Sequence, residues 1–213
     1  YKEMGFTKET IINALALLGW STENEIFSID ELIESFKLEN VQKAAAVFDL
    51  KRFNWVSSQQ LAKLDENGFF GVIKPFMEDE DVSEDSPNYE KILLAMRTSK
   101  TNLKDIAQAT RPFFFELDGY DEKGVKKFLN ESLETLTFAL EVLSKLTEWN
   151  ETELDMALIK VRDYFNLPIP KVNQPMRIAL VGSTVSPSLG LTLELFGKEK
   201  SLERIQKAID FIS

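Results

Sequence analysis

Gln174-Pro-Met-Arg177-Ile-Ala-Leu-Val181-Gly182-Ser-Thr-Val-Ser186-Pro187-Ser-Leu189-Gly-Leu-Thr-Leu-Glu-Leu-Phe196-Gly197 is the stretch on which the fold class turns. Residues 176–181 have the composition of a strand, whereas Pro175 suits the first turn of a helix. Downstream, Ser186-Pro187 before an apolar run is a helix-start signal. A serine oxygen can accept from the free N–H groups of a first turn, and proline is pre-organised for it. Arg177 with the hydroxyl-rich turn 182–189 therefore reads as a candidate reading head for anions or base edges. On this stretch alone an ordinary turn between two packed helices is the alternative. The turn is too poor in glycine for a phosphate cradle and lacks the Gly-Lys-Ser/Thr ending, which excludes a P-loop.

Outward from this stretch the periodicity is helical. Ile11, Ile12, Leu15 and Leu18 recur behind a Thr7 cap, and Gly19 is expected to close that helix in the left-handed conformation. Ser28 with Glu31 has the pattern of a capping box. Asp49 is expected to cap a helix carrying Phe53 and Trp55, followed by a break at residues 68–71. Ser86-Pro87 predicts another helix start, and Thr101 the cap of the next. Leu133, Leu136, Leu140, Leu143 and Leu146 form a stripe read as core. Asn150 with Glu153 starts a helix that Asn166 ends, before a linker at 168–170.

Composition narrows the chemistry. The 213 residues are 44% hydrophobic and 28% charged, with neither histidine nor cysteine. That removes imidazole acid/base catalysis, thiol nucleophiles, disulfides and the usual zinc sites, so no catalytic and no metal-binding residue is assigned. No apolar run has the length of a membrane span and the first residues are unlike a signal peptide, so a cytoplasmic protein without a membrane partner is expected. The net charge of −10 argues at first against RNA. Seven acidic residues, however, fall in 78–90, while 160–213 holds eight Lys/Arg against five Asp/Glu. A face that is not acidic is thereby expected in the last quarter.

The beginning of the chain adds Glu3-Met-Gly-Phe-Thr-Lys-Glu-Thr-Ile-Ile-Asn-Ala-Leu-Ala-Leu-Leu-Gly-Trp20-Ser21, then Glu25-Ile-Phe-Ser-Ile-Asp-Glu-Leu32 and Ala46-Val-Phe-Asp-Leu-Lys-Arg-Phe-Asn-Trp55. With Pro175-Met-Arg177 and Phe196-Gly197-Lys198, these motifs resemble, in order, the C-terminal half of bacterial-type glutamyl-tRNA synthetases, a class I aminoacyl-tRNA synthetase family. The resemblance implies an all-α fold and resolves 176–181 as a short helix. It implies a stem-contact helical segment at 1–66 and a two-part anticodon-binding module at 67–121 and 122–213. It implies tRNA(Glu) as partner, a monomer, and a protein that helps attach glutamate to tRNA while the ATP- and magnesium-dependent catalytic half lies elsewhere. No cofactor is expected in this part, and alone it is expected to be inactive.

Residue by residue, the resemblance places Arg177, Ser186, Pro187 and Leu189 against the last anticodon bases. Arginine suits such work because its planar guanidinium stacks on a base while donating a fork of hydrogen bonds. Arg97, Ser99 and Lys100 align with the region that meets the first anticodon base. Many relatives that reject tRNA(Gln) have arginine where Ser99 stands, so tRNA(Gln) is a second candidate partner. Lys51 and Arg52 align with contacts to the tRNA backbone, which need only point charges. Ser57 and Gln60 depart from the family's Asn and Tyr. Phe113, Phe114 and Phe115 are read as core rather than as a stacking platform. A helical interaction scaffold of the same descent, without RNA recognition, is the rival reading.

Overall fold

The computed structural model describes residues 1–20, 24–42 and 47–213; Ser21 and Ala46 of the quoted motifs lie outside them. The described residues are helical, and their one extended pairing is an isolated bridge between Trp20 and Val41. By compactness the chain divides into Tyr1–Gln108 and Ala109–Ser213. No helix among the described residues is long and apolar enough to cross a membrane.

The first unit contains α1 (Lys8–Gly19), α2 (Ile29–Ser35), α3 (Leu50–Lys63), α4 (Glu66–Asp79), α5 (Tyr89–Met96) and most of α6 (Leu103–Thr110). Three caps form as the sequence implies. The Thr7 oxygen accepts from Thr10 N, Ser28 and Glu31 complete a reciprocal capping box, and Asp49 accepts from the amides of Lys51 and Arg52. α1 packs on α3 around Phe6, Ala14, Phe53 and Val56, with the Phe6 and Phe53 rings 4.5 Å apart. Asn13 and Gln60 are buried between them. Gln60 Nε2 donates to Asn13 Oδ1 (2.7 Å) and Phe27 O (2.8 Å), and Asn13 Nδ2 donates to Glu25 O (2.9 Å). The motif around residues 25–28 is thus tied to α1 and α3 by buried amides whose hydrogen bonds are satisfied.

Four local expectations are corrected here. Gly19 does not adopt a positive φ; α1 ends because Trp20 turns extended and bridges Val41, with Gln42 N donating to Gly19 O. The break expected at 68–71 lies at Leu64, because Asp65 caps α4 by accepting from Gly68 N, and the helix runs on through both glycines and Pro75. Ser86-Pro87 does not start α5, which begins at Tyr89 after a left-handed Asn88. Thr101 does not cap α6: its carbonyl accepts from Ser57 Oγ, and Asn102 Oδ1 caps Asp105 N instead. The acidic stretch 78–90 is mostly exposed and is tied to its unit at buried Val82 and by a Lys74–Glu84 ion pair.

The second unit contains α7 (Glu122–Gly124), continued by a wider turn over Val125–Leu129, then α8 (Leu133–Ser144), α9 (Glu151–Phe165), α10 (Ile169–Val181), α11 (Leu189–Phe196) and α12 (Lys198–Ile212). Asn150 caps α9 and Asn166 ends it in the left-handed conformation. α10 touches α8, α9, α11 and α12, and Val172, Met176, Ile178, Ala179, Leu180 and Val181 on it are buried. The ambiguous stretch is therefore the central helix. It is longer than the sequence implies, since residues 169–170 belong to its first turn rather than to a linker, and Pro175 sits within it. Of the leucine stripe, Leu136 and Leu143 are fully buried, whereas Leu133 is exposed.

Candidate nucleic-acid interface

Arg177 leaves the central helix α10 toward the turn that leads into α11. Its Nε donates to Ser186 Oγ at 3.1 Å and its Nη2 to the Pro187 carbonyl at 3.3 Å. Both belong to one edge of the guanidinium. Burial alone pulls its proton affinity below that of an ordinary arginine, yet a guanidinium starts so high that it stays cationic at any working pH. Among the ion pairs of the described residues none involves Arg177. The cation is thus half-buried, held on one edge and unneutralised.

The turn beside it is built differently from the expected Ser-Pro start. The cap of α11 is Ser188, whose Oγ accepts from Leu191 N (3.4 Å) and donates to Glu151 Oε1 (2.5 Å). Glu151 N in turn donates to Glu194 Oε2. α11 comes so close to α9 here that a Cβ on Gly190 would lie 2.5 Å from Asp155 Oδ1 and 2.8 Å from Glu151 O. Ser186 is free of capping and faces Arg177. Leu189, expected to touch a base, is instead in the core with 2% exposure, because the first apolar position of α11 packs inward. What Leu189 can offer a ligand is its backbone alone.

The second candidate cluster is placed less favourably. The Arg97 guanidinium donates to the carbonyls of Leu61 and Leu64 at the end of α3 and lies 5.0 Å over the Phe69 ring. It completes the last turn of a helix rather than facing outward. The Ser99 Oγ is buried and without a hydrogen-bond partner. Lys100 is half-exposed. In α3, Lys51 is exposed, and Arg52 is exposed but paired to Glu25 at 2.9 Å. Ser57 and Gln60, where the sequence departs from the resembled pattern, are occupied inside the unit. Phe113 packs as core, stacked on Phe196 at 4.7 Å.

Two residues that matter to the site carry no site role in the sequence reading. Thr192 is fully buried, and its Oγ1 lies 3.1 Å from Ser186 Oγ and 2.9 Å from Ser188 O. A lone hydroxyl inside Leu-Gly-Leu-Thr-Leu was the available signal. Arg204 is buried on α12, donates to Leu180 O and Phe115 O, and lies 4.5 Å over the Phe196 ring. Nothing in its charged sequence surroundings sets it apart.

Residues 61–209 match the family model described as anticodon binding domain, and residues 1–55 match that of the class I tRNA synthetase (E and Q) catalytic domain. The chain is 31% identical over its whole length to glutamate–tRNA ligase 1 of Syntrophomonas wolfei, and spans 44% of that protein. It superposes on a glutamate tRNA ligase from Elizabethkingia meningosepticum, crystallised in complex with its amino acid, with a TM-score of 0.81 and 30% identity, covering 100% of this chain and 43% of that one. For the glutamate-tRNA synthetase of Elizabethkingia anophelis the TM-score is 0.77 at 30% identity, covering 99% and 42%. An all-helical unit around a central arginine-bearing helix and a model match over more than half its length agree: the chain belongs to the anticodon binding domain family.

Proposed function

We propose that this chain is the tRNA-binding half of a glutamate–tRNA ligase, docking the anticodon stem-loop of tRNA(Glu) so that a catalytic half outside this chain attaches glutamate to the acceptor end using ATP. The observation that carries this reading is Arg177: a cation with no carboxylate partner, anchored by one edge beside a polar turn. Recognition energy collected there orients the distant acceptor end for reaction. Lys51 adds a contact to the RNA backbone and Lys100 one beside the first anticodon base, and the protein works as a cytoplasmic monomer. ATP and magnesium belong to the catalytic half in this reading, and this chain alone is expected to be inactive. The inward-turned Ser99 hydroxyl favours a second partner, tRNA(Gln), since it offers the first anticodon base nothing that would exclude the wrong one.

The test is binding of the 213-residue chain to tRNA(Glu) and to an anticodon-swapped control across a salt series. Tighter binding to the matching anticodon that persists as salt rises is the expected result. Equal affinities that vanish together with salt would leave phosphate contact only and favour the inherited scaffold.

A further inference from the structure

Around Ser186 two hydroxyl protons serve more acceptors than they can satisfy. Ser186 Oγ lies 3.0 Å from Pro187 O and 3.1 Å from Thr192 Oγ1, and Thr192 Oγ1 lies 2.9 Å from Ser188 O. Three arrangements use both protons. Thr192 donates to Ser188 O while Ser186 donates to Thr192, or Thr192 donates to Ser186 while Ser186 donates to Pro187 O, or each donates to its own carbonyl, Thr192 to Ser188 O and Ser186 to Pro187 O; the first two link the hydroxyls to each other. In all three, neither proton is left for a ligand, and Ser186 keeps a lone pair for Arg177 Nε. The Ser186 hydroxyl is thereby spent inside the protein. Arg177 has five N–H donors, of which Nε and one on Nη2 are taken. Its outer fork, Nη1 with the second Nη2 hydrogen, has no partner among the described residues.

We propose that Ser186 and Thr192 are positioning residues that lock the Arg177 guanidinium in one orientation, and that RNA is read at this turn by the outer fork of Arg177 and not by the Ser186 hydroxyl. The inference rests on the tRNA-binding reading above. Its physical basis is pre-organisation: a long, flexible side chain whose plane is fixed before binding gives up less freedom when the base arrives, and its fork discriminates by direction. Thr192 is suited to the task because it is on the buried face of α11, where no solvent competes for its hydroxyl.

The test uses the 213-residue chain with Thr192→Val, which removes the hydroxyl, Thr192→Ser, which restores it, and Ser186→Ala. In the free protein, hydrogen exchange of the Arg177 Nε–H is followed by NMR. It is expected to accelerate about fivefold or more in Thr192→Val and Ser186→Ala, the loss of roughly one hydrogen bond, and to return toward wild type in Thr192→Ser. Unchanged exchange in all variants overturns the inference, whatever RNA does. With tRNA(Glu) and an anticodon-swapped control, the affinity ratio is expected to fall about tenfold in Thr192→Val and to recover in Thr192→Ser, with the salt dependence unaltered. A ratio unchanged in Thr192→Val overturns it as well. A wild type that prefers neither anticodon sinks the tRNA-recognition reading first and this inference with it, and the exchange measurement tells the two failures apart.

Discussion

Arg97 and Arg177 both donate to backbone carbonyls, but what those carbonyls belong to separates their roles. The acceptors of Arg97 are Leu61 and Leu64, the last orphan carbonyls of α3, and the ring of Phe69 lies under its guanidinium. Those of Arg177 belong to a surface turn that its own Ser186 contact shapes. Removing Arg97 leaves the Leu61 carbonyl only the long contact from the Leu64 amide (3.4 Å) and takes the guanidinium from the Leu64 carbonyl, so Arg97→Ala is expected to lower unfolding stability by about 2 kcal/mol, the scale of hydrogen bonds from a charged donor. Arg177→Ala is expected to cost under about 1 kcal/mol and to abolish anticodon preference instead. Urea titration of both variants checks this, and a destabilisation of equal size would erase the distinction. The sequence makes both arginines look alike, because nothing local tells which carbonyl a five-donor fork will find beyond its own helix.

Helix starts show where local reading works and where it fails. Thr7, the Ser28–Glu31 box, Asp49 and Asn150 have the pattern and form the caps, since each rival is absent within the same turn. Thr101 and Ser186 have the pattern and do not. Arg177 occupies the Ser186 hydroxyl, the Thr101 carbonyl is held by Ser57 outside the helix, and in both places the next polar residue able to cap, Ser188 or Asn102, becomes the cap. The box at α2 also carries a pH prediction. The backbone amide and the hydroxyl of Ser28, in that order, hold the Glu31 carboxyl below its ordinary value. A lowered carboxylate binds fewer protons folded than unfolded, so its contribution is present above the unfolded pKa of about 4.3 and is lost as pH falls through the folded value. The protection of amides within Ile29–Ser35, taken relative to the intrinsic exchange rate at each pH, is expected to fall on acidification below that range, and Glu31→Ala is expected to remove the pH step. A step that survives in Glu31→Ala would assign it to another group.

At the scale of the whole molecule, the fold class is legible in the sequence through helical periodicity, but the charge distribution is not. The excess of eight Lys/Arg over five Asp/Glu in 160–213 suggests a cationic field. In the structure most of those cations are committed. Arg204 is buried against two carbonyls, Lys198 donates to Leu146 O, Lys207 pairs with Glu116 and Glu203, Arg162 with Asp163 and Lys171 with Glu131. Among the described residues, Lys160, Arg177 and Lys200 are the cations of that stretch with neither a carboxylate pair nor burial against carbonyls at a helix end, and of the three Arg177 is the one anchored beside the turn into α11. Each phosphate neutralised adds about 0.7 to 0.9 to the slope of log affinity against log salt, and a protein making six to ten such contacts shows a steep one. With RNA contacts confined to Lys51 and the unpaired cations of 160–213, the slope for tRNA binding to this chain is expected to be about −2 to −4. Lys51→Ala is expected to flatten it by about one unit, uniformly for matched and swapped anticodons, because an exposed lysine on α3 meets phosphate and carries no sequence information. Lys207→Ala is expected to leave it unchanged, since that ammonium is held between two carboxylates. Fluorescence anisotropy of labelled tRNA over a salt series measures all three. A wild-type slope of about −6 or steeper would mean that these ion pairs open to RNA, and that affinity comes from a broad cationic surface rather than from a few placed groups.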